Sequence, residues 1–102
     1  MALQTARALV ASGADRNLTG VQRQFVYLPF EHAEDLSHQR TSVQLFSQLA
    51  TDEPALAGLV EWARRHHDIV ARFGRFPHRN ALLGRQSTAE EAAFLLRPGS
   101  GF

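Results

Sequence analysis

The sequence of 102 residues contains no cysteine, no lysine and no long apolar run, and its net charge is only +1. Without cysteine the chain forms no disulfide, no cysteine-ligated zinc site and no thiol nucleophile. Without a long apolar run we expect neither a secretion signal nor a membrane span, and therefore a cytoplasmic protein with no membrane contact. The near-neutral charge argues against binding duplex DNA through bulk electrostatics.

Apolar spacing, capping residues and turn residues predict an all-α fold of about five helices. The predicted helices cover residues 2–12, from Thr19 to near Pro29, 36–50, 55–73, and from Ser87 or Thr88 to 96. Their short connections predict an antiparallel bundle or a helical-repeat arrangement. The length fits one domain over residues 1–102.

Part of the second predicted helix, residues 25–30, has a strand as its alternative. Val21, Phe25 and Leu28 lie at i, i+4 and i+7, which predicts that they form its apolar face. Pro29 lacks an N–H, so the helix must kink or end close by. Residues 25–30 also have high strand propensity, and a strand is the alternative.

Charged residues cluster strongly. Residues 31–35 hold three acids, whereas residues 72–85, the arginine segment, hold four arginines and no acid. Guanidinium groups bind carboxylate or phosphate in a bidentate way, so this segment is a candidate anion-binding loop. The alternatives are that the arginines tie an irregular loop to helix ends and to the acidic residues, or that single-stranded RNA stacks on Phe73 and Phe76.

Two polar residues are predicted to face inward. His66 lies on the apolar face of the fourth predicted helix, and Gln39 lies on the inner face of the third. We expect a buried polar cluster in which they contact each other, His32 or Glu34. No metal-binding, nucleophile or phosphate-loop motif is present, and we therefore expect no metal and no cofactor.

Two segments together resemble a known family. YLPFEHAEDLSHQ (27–39) and HHDIVARFGRFPHRNALLGRQSTAEEAAFL (66–95) are similar to the bacterial domain of unknown function 924 family. The resemblance implies a tetratricopeptide-like helical fold and no known activity. Its polar motif positions fall on His32, Glu34, Gln39, His66, Arg72, Arg75, His78, Arg79, Asn80, Arg85, Ser87, Thr88 and Glu91. Ala33 departs from the family's serine.

The resemblance also bears on assembly. Family members are usually longer, so this chain is expected to resemble the C-terminal half of the family domain. Helical repeats bury their apolar faces against neighbours, and a missing half predicts a homodimer that forms through exposed apolar helix faces.

Function follows from the clustered polar residues. We expect a binding or scaffold module whose groove holds a small anion or an acidic peptide segment, with Arg75 and Arg79 as the main contacts. The alternatives are an enzyme with a His/Glu acid–base pair and an arginine anion clamp, or a purely structural assembly module. The candidate site residues are His32, Glu34, Gln39, His66, Arg72, Arg75, His78, Arg79, Asn80 and Arg85.

Overall fold

Five α-helices make up most of the computed structural model, which describes residues 2–98. They are α1 (Ala2–Ser12), α2 (Gly20–Glu31), α3 (Leu36–Asp52), α4 (Gly58–Phe73) and α5 (Ala89–Leu95), with short 3-10 turns at Ala14–Asn17, Pro54–Leu56 and Pro77–Arg79. The all-α prediction is confirmed. No strand occurs within residues 2–98, so the strand alternative for residues 25–30 is wrong. None of these helices is long and apolar enough to cross a membrane.

Capping residues set the helix ends as predicted. Thr19 forms a capping box with Gln22 at the start of α2, and Thr88 forms one with Glu91 at the start of α5. Gly74 ends α4 with a left-handed φ of 75°, a conformation that costs glycine little. In contrast, α4 begins three residues later than predicted, because the 3-10 turn that starts at Pro54 occupies the preceding residues.

The buried face of α2 differs from the predicted one. Val21 and Phe25 are 59% and 67% exposed, whereas Arg23 and Tyr27 are buried. Tyr27 packs edge-on against Phe46, with ring centroids 5.7 Å apart, and this contact sets the rotation of the helix. The prediction that Val21 and Phe25 form the apolar face is therefore wrong.

The core has two parts that position the arginine segment. The larger part lies between α2, α3 and α4 and contains Tyr27, Phe46, Leu49 and Ala63. The smaller part joins α4 to the arginine segment through Ile69, Val70 and Phe76, with Leu36, Phe73 and Phe94 packed against them. Phe76 is fully buried, so its neighbours in the loop are held against the helices.

Gln39, a residue of α3, caps the C-terminal end of α2. Its buried side-chain amide donates to the carbonyl oxygens of Glu31 and Ala33, at 2.6 and 2.8 Å, and to that of Phe30 at 3.4 Å. Carbonyl groups at the C-terminus of a helix lack partners within the helix, and Gln39 supplies the donor. The predicted contact of Gln39 with His66, His32 or Glu34 is therefore wrong.

Replacing Gln39 tests this role. Gln39→Ala leaves buried carbonyl groups without a donor, and we expect the free energy of unfolding to fall by about 1–3 kcal/mol. Urea unfolding measures the change. Gln44→Ala, at an exposed glutamine of the same helix, should change stability by less than about 0.5 kcal/mol. Equal effects of the two substitutions would contradict the role of Gln39.

Candidate functional site

Glu34, in the connection between α2 and α3, holds the arginine segment in place. Its carboxylate accepts hydrogen bonds from both terminal nitrogens of Arg85, at 2.9 and 3.0 Å, and from the backbone N–H of Phe76 at 2.7 Å. Arg85 also donates to the carbonyl oxygen of Phe76 at 3.2 Å. The hydrogen bonds from Arg85 and Phe76 lower the pKa of Glu34. This carboxylate therefore joins residues that are far apart in sequence.

Arg75 and Glu91 form a second ion pair at the start of α5. Nε and a terminal nitrogen of Arg75 donate to the two carboxylate oxygens of Glu91 at 2.9 and 2.7 Å, and the guanidinium also donates to the carbonyl oxygen of Gln86. Hydrogen bonds from Arg75 and from the backbone N–H of Thr88 lower the pKa of Glu91 to about 2. Two of the four arginines in the segment are thus committed to internal carboxylates.

The other two arginines of the segment lie over aromatic rings. The guanidinium carbon of Arg72 lies 4.6 Å from the ring centroid of Phe73, and that of Arg79 lies 4.5 Å from the ring centroid of Phe76. Within residues 2–98 no acidic side chain forms an ion pair with Arg79. Its guanidinium therefore keeps its hydrogen-bond donors for another acceptor.

Three histidines lie close enough to Arg79 to feel its charge, and two of them also contact the ring of Phe76. The ring centroids of His32 and His66 are 5.8 Å apart, and those of His66 and His78 lie 5.5 and 5.7 Å from that of Phe76. Desolvation, and then the charge of Arg79, lower the pKa values of His32 and His78, and burial lowers that of His66. We refer to His32, His66, His78 and Arg79 as the histidine cluster.

Glu31 is a site residue that the sequence analysis missed. Its side chain is buried at the end of α2, and Oε1 lies 3.5 Å from Nδ1 of His66. The same Nδ1 lies 2.7 Å from the carbonyl oxygen of Trp62, and because that oxygen can only accept, Nδ1 carries the proton. Burial raises the pKa of Glu31 to about 7. The signal that could have identified Glu31 is its position. Arg23, Tyr27 and Glu31 are spaced four residues apart, so they lie on the same buried face of α2.

A cleft of about 220 Å³ opens beside Glu31 and His66. We refer to it as the apolar cleft, and it is lined by Gln24, Leu28, Glu31, Phe46, Leu59, Trp62 and His66. His66 therefore belongs both to the wall of this cleft and to the histidine cluster, and Glu31 lines the cleft beside it.

The remaining predicted residues support the loop. Asn80 is buried, and its amide donates to the hydroxyl oxygen of Ser87 at 3.1 Å. Phe76 is fully buried, which leaves no face on which an RNA base could stack. Across residues 2–98 no group of three or more histidine, aspartate or glutamate side chains is arranged to hold a metal ion.

The sequence model of a family described as bacterial protein of unknown function (DUF924) matches residues 1–99. The chain belongs to this family. It is similar to the solved structure of a protein of unknown function from Agrobacterium tumefaciens, with 39% sequence identity and a TM-score of 0.79. The match covers 92% of this chain and 50% of that one, so the chain spans half the length of this relative. No curated protein matches the chain.

These comparisons confirm the family resemblance and correct one detail of it. The family model matches nearly the whole chain, and the designation of the chain as the C-terminal half of the family domain is therefore wrong. Neither the description of the family nor that of the solved relative names an activity. Function must therefore be inferred from the site itself.

The ion pair of Glu91 predicts how stability depends on pH. Because its pKa is lowered in the folded protein, its contribution is complete above pH 4.5, the usual value, and is lost as the pH falls toward about 2. Urea unfolding over this range should show the free energy of unfolding falling less steeply in Glu91→Gln than in the original protein. Glu90→Gln, at the exposed neighbouring position, should follow the original protein. Parallel curves for all three would contradict this account.

Proposed function

We propose that the protein is a binding module whose histidine cluster holds a small anion, such as phosphate or a carboxylate. The observation that supports this is the position of Arg79 beside three histidines, with no ion pair to an acidic side chain within residues 2–98. A guanidinium group donates two parallel hydrogen bonds to such an anion. Of the two arginines expected as main contacts, Arg79 keeps that role, whereas Arg75 supports the loop through Glu91.

Protonation of the histidines adds to this proposal. Burial lowers the pKa values of His32, His66 and His78, which favours their neutral forms when no anion is bound. An anion beside them favours their charged forms and raises these pKa values. Anion binding therefore takes up protons and becomes tighter as the pH falls.

Arg79 and Arg72 provide a matched test, because both lie over phenylalanine rings but only Arg79 adjoins the histidines. In isothermal titration with phosphate, Arg79→Ala should weaken binding by about 10- to 100-fold, which is the loss of a charged hydrogen-bonded contact. Arg72→Ala should bind as the original protein does. For sulfate, whose charge does not change over this range, affinity should be higher at about pH 5.5 than at about pH 7.5.

Two results would overturn this proposal. The first is the absence of heat from the original protein with phosphate, nucleotides and carboxylates at both pH values. The second is equal weakening in Arg79→Ala and Arg72→Ala, which would indicate a general effect of charge.

An enzyme is the second candidate, and the contact between Glu31 and His66 favours it. Burial raises the pKa of Glu31 to about 7, which suits a group that exchanges protons near neutral pH. Such an enzyme would act on an anion held by Arg79. The two candidates differ after long incubation with a phosphate monoester: a binding module leaves the ester intact, whereas an enzyme releases phosphate and loses this activity in Glu31→Gln. A purely structural module, favoured by the internal pairs of Arg75 and Arg85, would neither bind the ester nor hydrolyse it.

We also propose that the protein is a cytoplasmic, single-domain homodimer with tetratricopeptide-like packing of its helices. The exposed side chains of Val21 and Phe25, one turn apart on α2, support the dimer. Beside Phe25 a cleft of about 330 Å³ is lined largely by apolar residues of α1 and α2. A second copy would cover this face, as neighbouring repeats do in helical arrays.

Phe25→Ser tests the dimer. Light scattering at micromolar concentration should give the mass of a dimer for the original protein and that of a monomer for Phe25→Ser, because a polar side chain removes apolar contact area. Leu82→Ser, at an even more exposed apolar residue of the arginine segment, should remain a dimer. A monomeric original protein would rule out this assembly.

A further inference from the structure

No group within residues 2–98 donates a hydrogen bond to the buried carboxylate of Glu31. The residue is 5% exposed, and within residues 2–98 the nearest donor to its side chain is Nδ1 of His66 at 3.5 Å. The proton on that nitrogen points to the carbonyl oxygen of Trp62, which is closer, at 2.7 Å. A buried carboxylate without a donor is costly, and the wall of the apolar cleft therefore offers a strong, unused acceptor.

The apolar cleft has room for a small organic molecule. Its volume of about 220 Å³ exceeds that of an engineered cavity of about 150 Å³ that binds benzene. Leu28, Phe46, Leu59 and Trp62 supply apolar contact area around it. A ring with a short side chain would fill such a space and bring one polar group to Glu31.

Within residues 2–98, no arginine side chain forms an ion pair that balances the negative charge of Glu31. From α4, His66 is mostly neutral at pH 7, because burial lowers its pKa. From α3, the amide of Gln39 binds the backbone carbonyl of Glu31 rather than its carboxylate. Arg65 lies over the ring of Trp62, 4.7 Å from its centroid, and forms no ion pair with Glu31.

We propose that the apolar cleft is a second binding site, which holds a small apolar molecule through a primary ammonium group that donates to Glu31. An ammonium group carries three donors and also balances the charge of the carboxylate, whereas a hydroxyl group has one donor and no charge. This site is distinct from the anion site at Arg79, because the charge of its ligand is bound by Glu31 and not by Arg79.

Benzylamine is a suitable probe, with benzyl alcohol and benzoate as matched probes of the same size. The chain has a single tryptophan, Trp62, and it lines the cleft, so its fluorescence reports on occupancy. At about pH 8 benzylamine should change the emission with saturation, and the other two probes should bind at least about 10-fold more weakly. Burial raises the pKa of Glu31 to about 7, so at about pH 5.5 only a few per cent is ionised and binding should weaken by about 30-fold.

Variants separate this site from the anion site. Glu31→Gln should lose benzylamine binding and keep phosphate binding, and Arg79→Ala should show the opposite pattern. Because Glu31 is buried, circular dichroism should first establish that Glu31→Gln folds. The pH dependence in the original protein tests the site independently of that variant.

Three results would overturn the proposal. Benzyl alcohol or benzoate could bind as tightly as benzylamine, or benzylamine binding could survive in folded Glu31→Gln. The third is an absence of any saturable change up to about 10 mM benzylamine at about pH 8. Loss of phosphate binding alone would contradict only the function proposed for the histidine cluster.

Discussion

The carboxylate of Glu34 is the contact on which the candidate site depends. It binds Arg85 and the backbone N–H of Phe76, and it thereby holds an irregular loop against the junction of α2 and α3. The ring of Phe76 is then fixed in the smaller core. The guanidinium of Arg79 lies over this ring, and the ring of His66 packs against it. Glu34 therefore fixes the backbone at Phe76, next to the cluster residues His78 and Arg79.

The three acids of residues 31–35 have three different roles, because they differ in position relative to the helix ends. Glu31 lies in the last turn of α2, on the buried stripe, and within residues 2–98 no arginine forms an ion pair with it. Glu34 lies beyond the helix, where its carboxylate reaches the arginine segment. Asp35 is the N-cap of α3 and accepts from the backbone N–H of His38. Within residues 2–98, the carboxylate of Glu34 is thus paired with an arginine, whereas that of Glu31 is not.

Local chemistry explains which parts of the fold were predictable. The capping boxes at Thr19 and Thr88 and the end of α4 at Gly74 depend on residues within one turn, and sequence spacing identifies them. The rotation of α2 was not predictable from apolar spacing, because Arg23 and Glu31 belong to its buried stripe. The partners of Glu34 and Gln39 depend on packing between distant segments. Sequence patterns therefore proposed candidate residues, but they missed Glu31 and did not show which residues meet.

His66 links the two parts of the site. Its ring adjoins His32 and Phe76 on the histidine cluster, while its Nδ1 lies 3.5 Å from Glu31 in the wall of the apolar cleft. An anion at Arg79 that raises the pKa of His66 would place a positive charge beside Glu31 and lower the pKa of that carboxyl group. Because coupling between sites is reciprocal, a ligand that changes the charge of Glu31 would in turn alter anion affinity. The two proposed sites would therefore be coupled through His66.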